Sequence, residues 1–142
     1  MSRESALAQV AAVEYKVPRE TIRAAIQAYL DSYPAADFAA ADKRAELFAD
    51  DLVLEDPVGA TPITNKAGLL AFFQGPVTYG IIIRMKTNKI VISGDEAISL
   101  TSASWGQEGE EPARVDIIHH FAFNEAGEIT RVRVFFDEGC VA

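Results

Sequence analysis

The feature that most constrains this chain is a change of hydrophobic period near residue 80. Before it, apolar residues recur at helical spacing. After it, they alternate. Ile22, Ala25, Ile26 and Tyr29 form one stripe behind Pro18, and Pro34 closes that helix. Asp37 is a candidate N-cap for a second helix whose buried stripe runs through Ala41, Ala45 and Phe48 to a stop near Asp50 and Asp51. Leu52, Val53 and Leu54 then make a short extended run into Glu55, Asp56 and Pro57. Asn65 caps a third helix through Leu69, Leu70, Phe72 and Phe73, which Gly75 and Pro76 are expected to end. A shorter helix over residues 5–13 has nothing to anchor it.

Beyond the switch, residues 81–85, 89–93, 97–105, 114–123 and 128–136 are β-rich runs separated by turn material, including Thr87-Asn88 and Gly94-Asp95. Short links between successive strands predict an antiparallel meander. Helices followed by a strongly curved antiparallel sheet make an α+β fold, with three helices of the first half packed on one sheet face around a pocket. In the fourth run Val115, Ile117, His119, Phe121 and Phe123 share the inner face. Asp116, Ile118, His120 and Ala122 share the outer one. In the last run Thr130, Val132, Val134 and Phe136 are expected inside, and Arg131, Arg133 and Phe135 outside.

The 142 residues suit a single domain spanning 1–142, with residues 1–17 as an extra N-terminal segment. With 21 acidic and 13 basic residues the net charge is −8, which disfavours nucleic acid and anionic membranes as partners. The one cysteine, Cys140, permits no internal disulfide, and no secretory signal is evident. Both agree with a cytoplasmic location. Two histidines and scattered acids offer no metal-ligand spacing, and no phosphate-cradling glycine loop is present. Neither a metal nor a cofactor is expected.

Asp56 is the foremost candidate for chemistry. Its carboxylate leaves an apolar run just before the rigid ring of Pro57. At the rim of an apolar pocket it would be partly desolvated and a stronger base than in water. A solvated acid at a strand end is the plainer reading of the same position. His119 stands amid the apolar inner face, where burial favours the neutral imidazole. It is either a hydrogen-bond donor into the pocket or a core residue bonded to a backbone carbonyl or to Tyr29.

The run from Leu47 to Gly59, with Glu55-Asp56-Pro57-Val58-Gly59 at its end and Pro62-Ile63 behind, resembles the ketosteroid isomerase signature. Phe72-Phe73 and the hairpin Phe123 to Ile129 follow in the same order, so the resemblance covers roughly residues 22–137. The wider group is the nuclear transport factor two-like, or polyketide cyclase-like, superfamily. It includes SnoaL-like cyclases, dehydratases, epoxide hydrolases and binding domains without turnover. The resemblance implies a cone-shaped sheet, Asp56 as general base, and Tyr29 as hydrogen-bond donor to the ligand oxygen, with Tyr33 as rival. Phe48 and Phe73 stand where supporting tyrosines would, which removes that hydrogen-bonded chain. Phe136 takes a tryptophan-type pocket position. His119 replaces an aspartic acid that an apolar site keeps protonated.

On this reading the expected lining is Phe48, Phe73, Val115, Ile117, Phe121, Val134 and Phe136, and the expected ligand is a small hydrophobic ketone or steroid-like molecule. The activity implied is a steroid Δ-isomerase-like proton shift (3-oxo-Δ5 to Δ4 type). Polyketide cyclase or dehydratase chemistry, or ligand binding without turnover, are the alternatives. Apolar Ile118, Ala122 and Phe135 on the outer sheet face point to a homodimer.

Overall fold

A computed structural model describes residues 1–142. Helix α1 (Arg3–Ala11) is capped by Ser2, whose side chain accepts from Ser5 N, and buries none of its residues. Tyr15 and Val17, just after it, already pack against the core. Helix α2 (Arg19–Asp31) follows Pro18 and buries Ile22, Ile26, Tyr29 and Leu30, as its stripe predicts. A single 3-10 turn, Tyr33–Ala35, leads to Ala36 in the left-handed region, at φ +50°.

Helix α3 (Phe38–Glu46) starts at Asp37, whose carboxylate accepts from Ala40 N. It stops earlier than expected. Strand β1 (Phe48–Glu55) already begins at Phe48, so that residue is a strand residue. The reason is tertiary: Leu47 O accepts from Ile129 N at 2.9 Å, and β1 pairs parallel to the last strand. Helix α4 (Lys66–Thr78) is capped by Asn65 and runs through Gly75 and Pro76, which were expected to end it. Pro76 lies in its last turn, where the missing N–H costs only one helical bond.

The sheet has five strands in the order β1-β5-β4-β3-β2, with β2 at Ile81–Ser93, β3 at Glu96–Gln107, β4 at Ala113–Phe123 and β5 at Ile129–Phe135. Two expectations need correction. Residues 81–85 and 89–93 are halves of one strand, because the register shift between Thr87 and Lys89 makes a bulge where a turn was read. The sheet is also mixed. β2 to β5 form the antiparallel meander, but β1 closes the free edge of β5 in parallel. An open edge beside β5 would leave a row of unpaired backbone groups, and the acidic-apolar run 48–55 is the chain's only extended segment left to cover it.

The inner face follows the alternation. Val115, Ile117, His119, Phe121 and Phe123 are all buried, as are Val132 and Val134. Helices α2, α3 and α4 cover that face, and the aromatic centre of the core is Tyr29, with Phe48, Phe73 and Phe121 edge-on to its ring. Burying a side chain such as Phe121 contributes up to about 3 kcal/mol. Outside, Arg131 and Arg133 both reach Glu55, and His120 pairs with Glu96. Asp50 and Asp51 are exposed, as expected of a solvated acidic step.

Candidate active site

Between α4 and the concave sheet lies a cavity of about 280 Å³, ten of whose fourteen lining residues are hydrophobic. The polar groups of interest are Asp56, His119 and the hydroxyl that Tyr33, one of the ten, carries, and each is delivered by a different element. Asp56 leaves the end of β1, Tyr33 opens the 3-10 turn behind α2, and His119 sits mid-way along β4. Three segments distant in sequence thus converge on one apolar space.

Burial raises the Asp56 carboxyl from 3.8 to about 6. No side chain donates a hydrogen bond or ion pair to it that would hold the charge, so desolvation goes unopposed. Burial lowers His119 to about 4, so the imidazole is neutral at physiological pH. It is 2% exposed, stacks on Phe121, and its Nδ1 has no hydrogen-bond partner. The reading of His119 as a core residue bonded to backbone or to Tyr29 therefore does not describe this ring. Ser99, directly across from it on β3, and Thr101 beyond also carry buried hydroxyls without partners.

Tyr29 is fully buried behind the cavity wall, and Tyr33 is the tyrosine on the cavity surface. Their hydroxyls are 2.8 Å apart. In this arrangement Tyr33 donates to Tyr29 Oη. A hydroxyl can also accept, and once a ligand oxygen takes the Tyr33 proton, Tyr29 is free to turn and donate to Tyr33 in its place. Burial pushes Tyr33 up to about 12; burial, and then Tyr33 and Asp56, push Tyr29 well above the ordinary tyrosine range. Both stay protonated. The supporting hydrogen bond that Phe48 and Phe73 cannot supply is thus present in another form, between two tyrosines one helical turn apart.

The profile of the SnoaL-like domain matches residues 19–132. The chain belongs to the SnoaL-like family. Among relatives of this SnoaL-like chain, a steroid Delta-isomerase of Nocardioides simplex is 29% identical over 118 residues, covering 83% of the chain and 91% of the relative. Among solved structures, the epoxide hydrolase/cyclase-like enzyme SalBIII has a TM-score of 0.75 at 17% identity, covering 87% of this chain and 95% of that one. A computationally designed 17-OHP binder has a TM-score of 0.75 at 22% identity, covering 86% and 97%. At these identities the two structures show a shared fold, a curved sheet with helices closing its concave face.

Of the lining expected from sequence, the SnoaL-like cavity uses Phe73, Ile117, Val134 and Phe136. Phe48, Val115 and Phe121 lie in the core behind it. They share the inward direction but sit under other side chains, a depth that alternation cannot resolve. Sequence reasoning missed the wall formed by Ile81, Ile83 and Met85 of β2 with Trp105, which pairs with Ile83 across the strands. The signal was present in the alternation of Ile81, Ile83 and Met85. No helix is long and apolar enough to cross a membrane, and no cluster of His, Cys, Asp or Glu has the makings of a metal site.

Proposed function

We propose that this protein moves a proton from carbon to carbon beside a ketone, in a small hydrophobic, steroid-like ligand. The observation that carries the reading is a carboxylate poised at about 6 in one apolar cavity with a tyrosine and a neutral imidazole. Asp56 takes a proton from the carbon α to the carbonyl, and the C–H electron pair moves into the carbonyl group as an enolate. The Tyr33 hydroxyl and an N–H of His119 stabilise the charge on oxygen, with Tyr29 holding Tyr33 from behind. Protonated Asp56 then returns the proton at the γ-carbon, which shifts the double bond into conjugation. The likeness to a steroid Delta-isomerase supports the choice of ligand class.

The test is a spectrophotometric assay with a Δ5-3-ketosteroid across pH, alongside binding of the phenolic steroid equilenin. The expected kcat/KM rises through about pH 6 as Asp56 ionises and then stays level, since His119 has lost its proton well below that pH and Tyr33 keeps its own to about 12. A second limb near neutrality would refute the assignment of a neutral His119. Equilenin binding with no turnover would leave a binding module.

We propose as well that two copies pair through the outer sheet face. Leu100, Ile118 and Phe135 lie side by side in register across β3, β4 and β5, with Ile98 and Val91 beyond, and each is 37–47% exposed. Such a row seldom faces water alone. Light scattering at micromolar concentration is expected to give twice the 15.4 kDa of one chain; a single-chain mass would overturn the pairing.

A further inference from the structure

Arg44, in the last turn of α3, is 4% exposed, yet it belongs to none of the chain's ion pairs. Its Nε donates to Ser32 Oγ at 2.7 Å. Its guanidinium lies on the Tyr33 ring, with Cζ 3.7 Å from the ring centroid, and 4.8 Å from that of Phe73. Both rings line the cavity. Burying a cation without an acid is costly, and only the two aromatic faces and one hydroxyl offset that cost here. Arg131 and Arg133 differ, because both are partly open to solvent and both pair with the Glu55 carboxylate. The field of Arg44 is not cancelled. It acts through a low-dielectric layer on whatever lies beside it, and Tyr33 is nearest.

We infer that Arg44 is a positioning residue for the cavity: its guanidinium, laid flat on Tyr33, fixes that ring and makes its hydroxyl a stronger donor toward the oxygen where negative charge develops. The inference rests on the proposed proton transfer for its catalytic meaning, though not for its physical effect on Tyr33. The groups acting on Tyr33 are Tyr29 through the hydroxyl bond, Asp56 and Arg44. Tyr29 and Arg44 lower its pKa, whereas Asp56 and burial raise it. A planar guanidinium suits this place because it stacks on a ring, which an ammonium cannot do.

The test uses the full chain labelled with fluorinated tyrosine, with the resonance of Tyr33 assigned by its loss in Tyr33→Phe and its ionisation followed by fluorine NMR. In Arg44→Met the Tyr33 titration is expected to move up by about one unit, the size an adjacent opposite charge supplies. With the ketosteroid, kcat is expected to fall about three- to tenfold while KM stays within about twofold, since the effect grows with the charge on oxygen. A folded Arg44→Met protein whose Tyr33 titrates within about 0.3 unit of the parent overturns the inference, as a merely structural arginine would change only the melting temperature. If Arg44→Met does not fold, Ser32→Ala frees the guanidinium instead. A smaller upward move is then expected, and no move overturns the inference equally. The titration needs neither ligand nor turnover. A Tyr33 shift without any isomerase activity therefore leaves the tuning standing and removes only the catalytic reading.

Discussion

Replacing Asp56 by Asn is expected to lower kcat/KM by at least about 100-fold while making the protein more stable at neutral pH. The rate loss follows from the loss of the base, since a positioned general base contributes about 10²–10⁴. The gain in stability follows from the cavity. Folding raises the Asp56 carboxyl from 3.8 to about 6, so its stabilising contribution is complete below 3.8 and is lost as pH rises through about 6. Above that, the folded protein carries the cost of a partly buried carboxylate. Two units correspond to at most about 3 kcal/mol, less whatever the cavity's own solvent screens. The neutral amide has no such cost. Melting curves should therefore separate mutant from parent at pH 7.5 and converge near pH 4. Activity surviving within about tenfold would exclude Asp56 as the base. Equal melting temperatures at both pH values would show that its carboxylate is solvated.

His119→Phe is expected to lower kcat by about 10²–10³, the cost of one lost donor to a developing oxyanion, with a much smaller change in KM. The parent ring is neutral, buried and without a partner for Nδ1, so phenylalanine in its place takes no hydrogen-bond partner away from another buried group. The melting temperature should hold within a few degrees. Kinetics and melting on the same preparation separate the two roles of the residue. A rate loss below about threefold would end the donor role, and a large drop in melting temperature with an unchanged rate per folded molecule would make His119 a packing residue alone. His119→Asp adds a check: it should recover activity only if the cavity keeps the new carboxyl protonated, which the raised Asp56 shows this environment favours.

The inner face of β4 was legible without a structure, because the two-residue period of a strand is a property of the backbone and one face had to be buried. His119 was found that way, as an imidazole in an apolar series. Asp56 was legible from its place between an apolar run and Pro57, and the family resemblance raised it above the other acids. The ends of α3 and α4 were not legible. Local propensity favours continuing α3 into Phe48 and stopping α4 at Gly75-Pro76, yet the parallel pairing with β5 ends the one, and packing carries the other through its proline. The bulge at Thr87-Asn88 read as a turn for a similar reason. A bulge and a tight turn use the same residues, and only the partner strand distinguishes them.

The sequence by itself determined the class of fold, the inward face of each long strand and the acid that leaves β1, because these depend on periodicity and on backbone stiffness over a few residues. Only the tertiary structure decided which tyrosine lines the cavity. Tyr29 and Tyr33 are four residues apart, and continuing α2 would have set both on one stripe. The chain turns after Asp31, which leaves Tyr29 sealed among Phe48, Phe73 and Phe121 and puts Tyr33 on the cavity wall, hydroxyl to hydroxyl with it. Arg44 was likewise hidden. On a helical wheel it is one more charged residue near a C-terminus, and it becomes a buried cation only when α3 is laid against α4 and the 3-10 turn at Tyr33. Depth of burial is a sum over neighbours from the whole chain, and no local pattern contains that sum.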